Sequence, residues 1–103
     1  MLYSPIETFI RVIKGKYKAK ILIYLSRKNR RFSEINRKFP HMSERILIKT
    51  LKELEKEGIV GKTVTGSKPP LRVEYFITPY GSSVCPILKQ MWYWGEVHET
   101  MKN

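Results

Sequence analysis

The sequence predicts a mainly α chain with one small β-hairpin, an α+β arrangement, and three observations carry that prediction. Apolar residues recur at helical spacing in separated segments up to Gly58. A β-rich run, a Gly-Ser-Lys-Pro-Pro turn cluster and an alternating return run follow over residues 59–77. Thr78-Pro79 then opens a last helical segment. The length of 103 residues suits one domain, and a hydrophobic fraction of 42% suits one core.

The elements follow in order. Ser4-Pro5-Ile6-Glu7 reads as a capping box with proline at the first helical position. Ile6, Phe9, Ile10 and Ile13 repeat at helical spacing, and Gly15 ends the helix. A second helix spans about Tyr17 to Ser26, with a dense apolar set from Ile21 to Leu25 that places it centrally. The basic run Arg27 to Arg31 reads as a solvated turn. A short third helix starts at Ser33, turns Ile35 and Phe39 to the core, and stops at Pro40. Ser43 caps a fourth helix that runs to about Glu57 and ends at Gly58. Short helix, tight turn and longer helix over residues 33–57 form a helix-turn-helix pattern. The hairpin over residues 59–78 is then a wing, with Val73, Tyr75 and Ile77 alternating against Arg72, Glu74 and Phe76. In the final segment Val84, Leu88, Met91 and Gly95 share a face. Pro86 predicts a kink there, or a short helix followed by a longer one.

Charge narrows the function. The formal net charge is +11. Residues 1–72 hold 18 basic and 6 acidic residues, whereas residues 73–103 hold 2 basic and 3 acidic. Segregation of this kind points to a polyanionic partner for one part of the chain only. No free basic amphipathic segment or 18-residue apolar stretch speaks for a membrane. One cysteine and two distant histidines exclude an internal disulfide framework and a cysteine-only zinc site, and no cofactor is expected. The absence of a basic-then-apolar leader pattern and the lone thiol suggest a reduced cytoplasmic home.

Residues 43–57 carry the sharpest signal. With Leu47 at zero on a helical wheel, Leu51 falls at about 40° and Leu54 at about −20°, which defines a buried stripe. Arg45, Lys49, Lys52 and Lys56 fall within about 40° of the opposite pole. Glu44, Glu53, Glu55 and Glu57 balance them in number, so the information lies in the sorting by sign. A solvated face with pairs such as Lys49–Glu53 would also produce such a stripe. Its place between a helix-turn and a basic hairpin favours a DNA-facing surface. Ser43, Glu44, Arg45, Ile46 and Lys49 are the candidates for base edges, with Arg45 suited to guanine and Ile46 to a thymine methyl. Lys52 and Lys56 suit phosphate. Lys62, Lys68 and Arg72 on the wing could follow phosphate or enter the minor groove.

In this order the parts resemble the HxlR-type winged helix-turn-helix transcriptional regulators over almost the whole chain, 1–103. The stretches that carry the resemblance are SPIETFIRVIKGKYKAKILIYL, RRFSEINRKFPHMSERILIKTLKELEKEGIV, PPLRVEYFITPYG and PILKQMWYWGE. The resemblance implies a homodimer on palindromic operator DNA, joined through residues 1–15 and 79–103. The apolar character of Ile6, Phe9, Ile10, Ile13, Val84, Leu88, Met91, Trp92 and Trp94 supports these as interface candidates. Many members begin Cys-Pro-x-Glu, and in redox-sensing ones that cysteine reacts. This chain has Ser4 there, and a hydroxyl cannot act as a thiolate. Cys85 lies elsewhere and reads as a small buried or interface residue, with a disulfide to its symmetry mate as the alternative.

The competing classes are weaker. No nucleophile–base pair, glycine-rich phosphate loop or pocketed carboxylate pair suggests an enzyme. Trp92, Tyr93 and Trp94 could line a small-molecule pocket, though such a cluster is more often a dimer core. A winged helix that binds RNA, or docks to another protein, is the alternative function. RNA recognition would need exposed stacking aromatics.

Overall fold

The computed structural model describes residues 4–102, so residues 1–3 of the expected dimerisation segment, and residue 103, lie outside the described part. Five helices and a three-stranded sheet follow one another as α1 (Pro5–Ile13), α2 (Lys18–Arg27), β1 (Arg30–Arg31), α3 (Phe32–Lys38), α4 (Glu44–Lys56), β2 (Val60–Thr65), β3 (Arg72–Ile77), a 3₁₀ turn (Gly81–Ser83) and α5 (Cys85–Lys102). This is the mainly helical winged fold that the sequence predicts.

Ser4 and Ser43 stand at the N-caps of α1 and α4 as expected, whereas α3 starts at Phe32 with Arg31 as its N-cap rather than at Ser33, and α5 starts at Cys85 rather than directly after Thr78-Pro79. The Ser4 hydroxyl accepts the Ile6 N–H at 3.3 Å rather than that of Glu7. Pro5, in the first turn, needs no partner for a missing N–H. Ser43 caps α4 by accepting from the Ile46 N–H at 3.2 Å. Gly58, just beyond α4, has φ of 77°, a conformation that disfavours any side chain.

The basic run read as a solvated turn contains a strand instead. β1 pairs antiparallel with β3, setting Arg30 opposite Tyr75 and Arg31 opposite Glu74, so the sheet order is β1-β3-β2. Two contacts explain it. The Arg30 guanidinium lies 3.9 Å from the Tyr24 ring centroid and donates to the Tyr24 carbonyl at 3.4 Å. The Arg31 N–H donates to the Glu34 carboxylate at 2.9 Å, fixing the entry to α3. The hydrogen bond from Arg31 also holds the Glu34 carboxyl below the usual carboxylate range.

The core gathers Ile21, Leu22 and Leu25 of α2, Ile35 of α3, and Leu47, Leu51 and Leu54 of α4, with Tyr75 of β3 and Leu88 of α5. The expected stripe of α4 is thus its buried face. Pro86 falls at the second residue of α5, where helical N–H groups have no intrahelical acceptor, so a short turn precedes a longer helix. Thr78 makes the junction: its hydroxyl accepts the Gly81 N–H at 2.9 Å and lies 2.6 Å from the Gly58 carbonyl.

Candidate nucleic-acid interface

The pole of α4 opposite its leucines is solvent-facing and cationic. Arg45, Lys49, Lys52 and Lys56 are all exposed, as are Ser43, Glu44 and Ile46. Two acids beside the ridge, Glu53 of α4 and Glu57 just after it, are drawn elsewhere. Glu53 pairs with Lys18 of α2 at 3.8 Å, which leaves Lys49 without the i,i+4 partner that its spacing allows. Glu57 pairs with Arg11 of α1 at 2.6 Å, and that hydrogen bond holds its carboxyl below the usual range. Among the described residues, no carboxylate lies within 4 Å of any of the four cations. Unpaired cations on one ridge keep their charge for an outside anion.

A groove runs beside this ridge towards the wing. Glu44, Ile48 and Lys52 of α4 form one side of it, with Lys62, Leu71, Val73 and Tyr75 of the hairpin opposite. Arg31 and Ser33, at the start of α3, close it. Burial pushes the Tyr75 phenol up, with the Glu55 carboxylate adding to the effect, so this ring stays neutral. Among the described residues, one Glu55 oxygen is buried without a hydrogen-bond partner.

Of the wing residues, Lys62 enters the groove, Lys68 lies in the turn between β2 and β3, and Arg72 sits 3.6 Å from Glu74. Arg72 is therefore partly neutralised within the hairpin. Sequence reasoning does not single out Arg31, Ser33 or Ile48. Ile48 has a legible signal, an isoleucine well off the buried stripe; it is 40% exposed and lies between the basic ridge and the groove. Arg31 and Ser33 join the site only because β1 pairs with β3.

The apolar candidates divide. Leu88 and Ile13 are buried within the core of the single chain, and Phe9 and Val84 pack against it. Ile6, Ile10, Met91 and Trp94 are exposed, joined by Ile87, Val97 and Met101 of α5. Trp92 is exposed as well and also borders a cavity shared with α2 and α3. Cys85 is partly buried at the start of α5.

The comparisons with known proteins agree with this geometry. The HxlR-like helix-turn-helix family model matches residues 12–103. An HTH-type transcriptional regulator of Methanothermobacter thermautotrophicus is 42% identical over 93 residues, 90% of this chain and 70% of that protein. The structure of the redox regulator HypR in its reduced form superposes with a TM-score of 0.89 at 38% identity, covering 93% of this chain and 94% of that one. The HTH-type transcriptional regulator YtcD superposes with a TM-score of 0.85 at 35% identity, covering 95% and 99%.

Proposed function

The chain belongs to the HxlR-like helix-turn-helix family of transcriptional regulators, and on that premise we propose that it binds double-stranded DNA sequence-specifically, as a homodimer on a palindromic operator in the cytoplasm. The carrying observation is the exposed ridge of Arg45, Lys49, Lys52 and Lys56, whose neighbouring acids Glu53 and Glu57 are engaged by other helices. A major groove of about 12 Å admits one α-helix, and the N-terminal turns of α4 then meet base edges. Ser43, Arg45, Ile46 and Lys49 take that role, with Glu44 beside them. Lys52, Lys56, Lys62 and Lys68 hold phosphate, while Arg72 contributes less because Glu74 shares its charge.

The dimer reading rests on apolar surface. Ile6 and Ile10 of α1 and Ile87, Met91, Trp94, Val97 and Met101 of α5 are exposed, more than scattered surface residues explain. No helix among the described residues is long and apolar enough to cross a membrane. Selection of bound duplexes from a random pool, followed by footprinting, tests DNA binding and symmetry together. Enrichment of an inverted repeat supports the proposal. An unenriched pool, or equal binding to single-stranded RNA, overturns it.

A further inference from the structure

We propose that the cavity between α2, the end of α3 and α5 binds a small aromatic carboxylate. Its volume is about 240 Å³. That is below the roughly 300–1,000 Å³ of drug-sized sites, and it suits a molecule of one or two rings.

The walls and the rim differ in chemistry. Ile23, Tyr24, Phe39 and Trp92 form the apolar walls. The Phe39 ring stands edge-on to Tyr24, centroids 6.0 Å apart, and edge-on to Tyr17 at 6.1 Å. This aromatic wall is thereby braced before any ligand arrives. The charged lining consists of Lys20, Arg27 and Lys38, with no carboxylate beside them. Among the described residues none of the three has an acid within 4 Å, whereas Lys18 of the same α2 is paired with Glu53. Lys38 instead places its ammonium 5.5 Å from the Tyr24 ring centroid.

Three unpaired cations around an apolar recess repel one another, and an anion seated there relieves that repulsion. An arene supplies the surface that the walls can bury, and its carboxylate accepts from the cations. A bare inorganic anion would leave the walls wet, and a neutral arene would leave the cations unpaired. The occupied cavity would bridge α5, through Trp92, to the last residues of α3 before the turn into α4. The binding step itself is independent of the operator reading and is measured without DNA.

Benzoate is the probe, titrated at constant ionic strength into the full chain by calorimetry. A parallel titration follows emission in Trp94→Phe, which leaves Trp92 as the reporter of the two tryptophans. Expected is saturation below ~10 mM with a change in Trp92 emission. Benzamide, the same ring without the charge, should bind about tenfold more weakly or worse. Lys38→Gln and Arg27→Gln alter exposed side chains outside the core and should each weaken benzoate by roughly fivefold or more. Absence of saturable heat overturns the proposal. So does equal affinity for benzamide, or unchanged benzoate affinity in both glutamine variants.

Discussion

Arg45 occupies the first turn of α4 at the pole opposite Leu47, and Lys68 occupies the turn between the wing strands. Base contacts carry sequence information, whereas phosphate contacts position the protein. Arg45→Ala should therefore cost on the order of 1–3 kcal/mol on a cognate duplex and flatten preference at one position per half-site. Lys68→Ala should weaken cognate and scrambled duplexes alike and reduce the salt slope by roughly one unit for each phosphate the lysine neutralises. A salt series on the two duplexes separates these outcomes; equal weakening of both by Arg45→Ala would make that residue a phosphate anchor. Ser4 has no thiolate and Cys85 is partly buried, so diamide should leave DNA affinity nearly unchanged in the same assay. A large reversible loss would make Cys85 a sensor. The basic ridge was legible in the sequence because a helix of known period sorts charge by angle. The freedom of Lys49 was not, since Glu53 turns to Lys18, a residue of a different helix.

Between elements, the junction of the wing with α5 leaves no room for a side chain. A Cβ on Gly81 would overlap the Ile59 carbonyl oxygen, a backbone atom that cannot swing away. Gly81→Ala should destabilise by about 1–3 kcal/mol, read from denaturant midpoints. A second link, Arg11 with Glu57, ties α1 to the end of α4. Its hydrogen bond lowers the Glu57 carboxyl, so the stability it contributes is present above the unfolded value and fades as pH falls through the lower folded one. Glu57→Gln should lower stability slightly above the carboxylate range, change little well below it, and so flatten the acid side of the stability profile, as thermal melts across pH would show. An unchanged acid limb would remove Glu57 from the account. The helices were readable because apolar spacing marks each of them, with a serine cap at the start of α1 and α4 and a glycine after each of those two. β1 was not, because two arginines have no strand pattern of their own; pairing to β3 and the Tyr24 contact make the strand.

On the scale of the molecule, charge and apolarity separate along the chain. The cations gather up to Arg72, and the exposed apolar residues of α5 lie beyond it, where the sequence is near neutral. Ile10 and Trp94 are 51% and 66% exposed, and burying large side chains such as these contributes about 1.5–3 kcal/mol each. Not every apolar residue of the terminal helices is free for this. Leu88 is consumed by the core, whereas Trp92, one turn on, stays 56% exposed and only borders the cavity beside α2, a division that helical spacing alone could not show because both lie near one wheel face. A dimer built on the remaining face has a specific consequence for DNA. Two α4 helices related by a two-fold axis read inverted half-sites, so operator affinity depends on the apolar face as well as on the ridge. Trp94→Glu places a charge where the interface would bury it, while the ridge of α4 lies on a different element. It should yield the monomer mass in sedimentation at micromolar concentration and bind a single half-site with affinity close to that of the unsubstituted chain. It should lose the preference for the full inverted repeat, because the second half-site no longer comes linked to the first. Retention of the dimer mass by both Trp94→Glu and Ile10→Glu would move the interface off this face. A monomer that still prefers the full repeat would show that the two half-sites are read independently of it.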